Sequence, residues 1–224
     1  MNYLEVMVIS PNENLGEKFN LDFFLEARAA SIEIVREVAS KITEGMTESE
    51  AHDLLKIAFE KNGSQKLWHP TKVRFGVNTL KTFREKSEPD IKIKNGDVFF
   101  FDIGPVINDH EGDYGETFVC GQDEKNDLAQ ACQDVFTETA NAWKEQNLSG
   151  PGLYAFAARA AEKRGYQLNL DMDGHRLGDF PHALHFKGGL PDHAETPNPN
   201  LWILEIHLRD VVTNRGAFFE DLLQ

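Results

Sequence analysis

Cysteine is scarce in this chain: 224 residues hold two, Cys120 and Cys132. They are not in CxxC spacing, so they form neither a zinc knuckle nor a disulfide framework, and a reducing, cytoplasmic setting is the expectation. Long apolar runs are also missing. None approaches the ~18 residues of a spanning helix. The first ten residues, MNYLEVMVIS, contain Glu5 and no basic start, so they do not read as a secretory signal. Basic residues are in deficit, with 23 Lys+Arg against 37 Asp+Glu and a net charge of −14. A nucleic-acid partner needs a positive footprint, and an anionic membrane surface repels an acidic chain, so neither is expected. What the chain has in plenty is acid, on a length sufficient for a real core. The question is whether some of that acid does more than solvate a surface.

The pattern along the chain is two helices, strands, two helices, strands. Asn20 is placed to cap a first helix carrying Leu25, Ile32, Val35, Ala39 and Ile42, with Gly45 as its stop. Thr47 and Glu50 have capping-box spacing for a second helix that ends before Gly63. Lys72 to Val77 reads as a strand, residues 81–96 as a loop, and Asp97 to Gly104 as a strand buried on both faces. A turn cluster at Asn108 to Gly112 sends the chain back through Thr117 to Cys120. Helices are predicted over residues 124–147 and 151–164, separated by Gly150-Pro151-Gly152. Short strands are predicted at Trp202 to Leu208, Val211 to Thr213 and Gly216 to Glu220. The approximate duplication implies an α+β fold with two similar halves.

Three clusters could carry chemistry. A hairpin centred near residues 107–108 would set Asp102 and Asp113 almost opposite each other. Facing carboxylates repel, so either that end is exposed or a cation lies between them. The segment Gly174-His-Arg-Leu-Gly-Asp-Phe-Pro-His182 is dense in Gly and His, and His175, His182, His185 and His193 fall within 19 residues. Each could equally be a structural histidine. Glu205 and Glu220 sit in apolar strand contexts, where a carboxylate is unusual unless it points outward, is paired or binds a metal.

In order, these residues are Asp, Asp, His, Glu, Glu. From about residue 20 onward the chain resembles the pita-bread metallopeptidases, the family of methionine aminopeptidase, Xaa-Pro aminopeptidase and prolidase. The resemblance rests on GDVFFFDIG with EGDYGETF, then GHRLGDFPH, ILEI and GAFFED, with the two Asp eleven residues apart and the two His seven apart. It implies the pita-bread (creatinase/aminopeptidase) fold: two pseudo-symmetric helix–strand halves around a curved antiparallel sheet. Residues 1–224 would be a single catalytic domain without a separate N-terminal domain. It further implies two divalent metal ions (Mn, Co, Fe or Zn) held by Asp102, Asp113, His175, Glu205 and Glu220, with Asp113 and Glu220 bridging. On the same resemblance a metal-bridging hydroxide attacks the substrate, Glu205 shuttles the proton, and His182 hydrogen-bonds the substrate carbonyl.

The match departs from the family in places. The family supplies another His from the loop after the strand that appears here as Val73-Arg-Phe-Gly-Val-Asn78. Its position falls near Lys81 to Phe83, where there is none. His69, His207 or His110 could reach the site instead, or nothing replaces it. Tyr114-Gly-Glu116 and Ile206 also differ from the pattern. The leading expectation is an aminopeptidase or Xaa-Pro-type exopeptidase acting on peptides. The alternatives are a hydrolase of a small non-peptide amide or C–N bond on the same fold, motivated by Lys81–Phe83 and Tyr114–Glu116, and a non-catalytic peptide-binding module. Pocket walls are expected around Trp68, Phe75 and Phe180, and oligomeric state is left open.

Overall fold

The computed structural model describes residues 10–64, 66–121, 127–182 and 188–224. The apolar lead at 1–9, the start of the helix predicted from 124, and His185 lie outside the described residues.

Helices α1 (Leu21–Ala39) and α2 (Glu48–Lys61) begin where their caps predict. The Asn20 side chain accepts from the Phe23 amide at 3.1 Å. At α2 the capping box closes in both directions, Glu50 N donating to Thr47 Oγ1 at 3.3 Å and Thr47 N to Glu50 Oε2 at 2.8 Å. Helix α1 stops at Ala39, well before the predicted stop. Gly45 instead sits in the turn that follows, at φ +90°, with its amide on Ile93 O. In the second half, α3 (Leu128–Gln146) ends at Asn147, a left-handed residue at φ 52°. Gly150-Pro151-Gly152 does not separate the helices but forms the first turn of α4 (Gly150–Glu162). Ser149 caps that turn, where proline's missing N–H removes no helical bond.

The strands are β1 (Lys66–Leu67), β2 (Lys72–Phe75), β3 (Val98–Ile103), β4 (Pro105–Ile107), β5 (His110–Glu111), β6 (Tyr114–Val119), β7 (Gln167–Leu168), β8 (Ile203–Asp210) and β9 (Arg215–Leu222). The main sheet is antiparallel in the order β2-β3-β6-β9-β8-β7. Its two halves, β2-β3-β6 and β9-β8-β7, join at the β6–β9 pair. The helices of both halves bring apolar faces to one side of it, so a single core holds Val35, Leu55, Phe99, Phe101, Val135, Leu153, Leu204, Ile206 and Phe219. The three short C-terminal strands expected from the sequence are two eight-residue strands. Val211 to Thr213 belong to the turn between them, where Asp210 accepts from the amides of Val212 and Thr213.

The hairpin after β3 leaves the main sheet at Gly104 and returns at Gly112, forming a small sheet β1-β4-β5. Its two-residue turn is Asn108-Asp109, both at positive φ (51° and 59°), the twist that suits tight hairpins. This centre is one residue later than predicted. Asp102 therefore pairs across the ladder with Gly115, not with Asp113. Among the described residues, no helix is long and apolar enough to cross a membrane.

Candidate metal centre

Strand alternation sorts the acids. Phe99, Phe101 and Ile103 point to the helices, so Phe100 and Asp102 point to the other face. By the same rule Leu204 and Ile206 send Glu205 to that face, and Phe219 sends Glu220 there. The registers Asp102↔Gly115, Gly115↔Glu220 and Glu205↔Glu220 then align three carboxylates on one rung across four strands. Gly115 leaves the space between them. A Cβ there would lie 2.5 Å from the Phe218 ring and 2.8 Å from Glu220 Oε1.

Asp113 enters just before β6, in the short link after Gly112. His175 is brought in by the glycine-rich segment lying against β8: Ile203 N donates to His175 O at 2.9 Å, and Gly174 N to the Tyr154 hydroxyl at 2.6 Å. A Cβ on Gly174 would meet Ile203 O, so the close approach requires glycine. His175 Nε2 lies 3.1 Å from Asp113 Oδ2 and 3.7 Å from Glu205 Oε1. The chain also brings in His69, from the link between β1 and β2. Its Nε2 is 3.5 Å from Asp102 Oδ1 and 3.4 Å from Asp113 Oδ1.

All four carboxylates are buried. Burial pushes Asp102 up to about 6, with Asp113 adding to the rise and His69 opposing it. Glu205 and Glu220 are held well above the usual range by burial and by neighbouring carboxylates, His175 opposing at Glu205. At Asp113 burial acts upward too, but His175 and His69 outweigh it and hold the carboxyl low. Burial alone would lower both histidines, yet the acids around them raise each to about 9. Even so, both oxygens of Asp113 and Oε1 of Glu220 are buried without an aligned hydrogen bond among the described residues. Buried, crowded carboxylates with unpartnered lone pairs are what divalent cations stabilise. The donor set of carboxylate oxygens with imidazole suits Mn, Co, Fe or Zn. Two groups, His69·Asp102·Asp113 and Asp113·His175·Glu220, have donor atoms within 4.8 Å of one another.

His182 stands beside this cluster, its ring stacked on His175 at 5.7 Å. Glu111, fully buried on β5, holds it twice: His182 Nδ1 is 2.6 Å from Oε2, and its amide donates to Oε1 at 3.0 Å. Trp68 packs edge-on against His69, His175 and His182 and donates its indole N–H to Gly112 O. Over the centre opens a cavity of about 800 Å³, lined by Trp68, Phe83, Met172, Arg84, Asp173 and Arg209 among others.

Several expectations are corrected. Tyr114 and Glu116 face the helices, where the Glu116 carboxylate accepts from Tyr114 Oη, Arg36 and Gln133, so neither shapes the cavity. Phe75 is in the helix-side core, and Phe180 lies under Lys66 instead of lining the cavity. His207 has both ring nitrogens engaged, by Thr79 O and Asn169. His110 is likewise occupied, by Asn108 O and the Asn20 amide. Phe83 and Thr82 occupy the wall where the sequence lacks a histidine. Glu111 escaped the sequence reading because its role depends on the His182 loop folding back onto the hairpin.

Comparison with known proteins fits this geometry. The model of metallopeptidase family M24 matches residues 22–219. The chain belongs to that family, and its fold is the pita-bread fold. Similar solved structures include an X-Pro aminopeptidase from Thermotoga maritima MSB8 (TM-score 0.73, 18% identity, 92% of this chain and 59% of that one). A prolidase from Pyrococcus horikoshii OT3 has the same TM-score at 19% identity, covering 94% and 60%. A methionine aminopeptidase from Thermotoga maritima also gives 0.73, at 16% identity, covering 94% and 93%. The chain thus spans about six-tenths of the first two and nearly all of the third. No curated protein matches it.

Proposed function

We propose that this chain is a metal-dependent exopeptidase, of the aminopeptidase or Xaa-Pro type, working at a dinuclear centre made by Asp102, Asp113, His175, Glu205 and Glu220. The observation that carries the reading is the clustering of four buried carboxylates around His175 and His69, with both Asp113 oxygens and Glu220 Oε1 lacking an aligned hydrogen bond among the described residues. Both halves of the molecule contribute to one sheet and one centre, which supports a single catalytic unit.

Divalent ions bound there would polarise the scissile carbonyl and lower the pKa of a water at neutral pH. The chain's own groups do the rest. Glu205, at the cavity floor, takes the proton from the attacking water and passes it to the leaving amine. Glu111 accepts from His182 Nδ1, which fixes the ring beside the centre and leaves Nε2 for contact with the substrate. Trp68, Phe83 and Met172 exclude water from one side. The cavity is larger than a small ring amide requires, and with Tyr114 and Glu116 turned away it favours peptides over such a substrate.

Metal-supplemented protein should remove one N-terminal residue from short peptides, at an ordinary bond or at an Xaa-Pro bond. Glu205→Gln should lower kcat by about 10²–10⁴-fold. Steady-state rates on a panel of N-terminal Met, Xaa-Pro and cyclic-amide substrates test this. Turnover of cyclic amides alone, or equal rates for Glu205→Gln, would reject it.

A further inference from the structure

We propose that His69 is a sixth protein ligand of the dinuclear centre, giving the Asp102-side metal an imidazole of its own. This rests on the reading that the centre binds two ions, and goes beyond its five-residue ligand set. The two histidines are arranged as counterparts around Asp113. His69 Nε2 faces Asp113 Oδ1 at 3.4 Å, and His175 Nε2 faces Oδ2 at 3.1 Å. One carboxylate therefore offers one oxygen to each imidazole, as a bridging carboxylate does when each ion carries a histidine.

The tautomers agree. His69 Nδ1 lies 3.1 Å from Pro70 O, and His175 Nδ1 lies 2.7 Å from Arg176 O. A carbonyl only accepts, so each Nδ1 keeps its proton and each Nε2 is free to ligate; such a backbone contact is the usual outer support of a metal-binding histidine. Spacing agrees as well. Donors at ~2.1 Å from one ion in a tetrahedral shell stand ~3.4 Å apart. His69 Nε2 is 3.4 and 3.5 Å from its two carboxylate oxygens, too far for good hydrogen bonds and right for a shared cation.

The fold makes room for this ring. A Cβ on Gly104 would fall 2.1 Å from His69 Cδ2 and 2.5 Å from Trp68 Nε1. Gly104, where the chain leaves β3, is thus a cradle for the Trp68-His69 pair, and the His69 side chain is only 9% exposed. An imidazole in both shells would bias the second site toward Co, Fe or Zn over ions that prefer oxygen alone.

Cobalt(II) titration of the full chain, followed by proton NMR, separates the possibilities. Each ligating imidazole contributes one exchangeable, hyperfine-shifted Nδ1–H signal. With two Co(II) bound, the wild type should show two such signals. His69→Gln should lose one and bind its second ion at least tenfold more weakly, and Gly104→Ala should do the same with His69 intact. A wild type binding two ions with one signal, or two signals and an unchanged second constant in His69→Gln, overturns the proposal and leaves the dinuclear reading standing. A wild type that binds no Co(II) sinks both. Should either variant fail to fold, the wild-type signal count decides alone.

Discussion

Two histidines from the same segment have their pKa values shifted in opposite directions. His175 stands among acids that raise it to about 9 when no cation balances them. His193 is buried against Trp202, its ring 4.5 Å away and both nitrogens without a hydrogen bond among the described residues. Burial lowers its pKa from 6.5, with Glu13 opposing. Its folded pKa is depressed, so the native state binds fewer protons than the unfolded chain just below pH 6.5. This contribution to stability is complete above that pH and is lost as pH falls through the folded value. Urea unfolding at pH 7.5 and 5.5 should show a larger loss for wild type than for His193→Phe, which keeps a ring and removes the titration. Equal losses would refute this. At this scale the residues proposed as ligands, Asp102, Asp113, His175, Glu205 and Glu220, could be picked out from their order in the sequence. The orientations were not: Val98 to Ile103 is apolar but for Asp102, so no alternation marked its face. Gly115 matters through the atom it lacks, which is visible only once Glu220 is beside it.

Helix starts were the most readable elements, because a cap acts within four residues. Asn20 and the Thr47–Glu50 box lie where their spacing requires. Thr47→Ala should cost about 1 kcal/mol, or about 2–4 °C in Tm, measured by thermal melting of the metal-loaded protein. No change would mean that packing alone sets the start of α2. Elements fixed by distant partners read less well. Asn108-Asp109 moved the hairpin centre by one residue, enough to shift Asp102 from Asp113 to Gly115. Gly150-Pro151-Gly152 looks like a break locally but opens α4, because proline is acceptable in a first turn. Likewise β8 and β9 support each other along all eight residues, so neither shows its length alone.

Over the whole molecule, the two halves meet at β6–β9, and the centre lies on the sheet face away from the helices. The duplicated order of helices and strands was legible. His69 was not placeable, since its position depends on the path from α2 to β2 and on the space over Gly104. Among the buried acids, Asp102, Asp113, Glu205 and Glu220 crowd one another, and their mutual repulsion opposes folding without cations. Chelator should lower Tm, and an ion at 100 times its Kd should restore about 2.7 kcal/mol. An unchanged melting curve would leave those acids without a role in metal binding. The central claim is most directly tested by an anomalous-scattering map from crystals grown with Mn or Co. Two peaks should appear among Asp102, Asp113, His175, Glu205 and Glu220. No peak there, with these side chains protonated and bonded to one another, would contradict it.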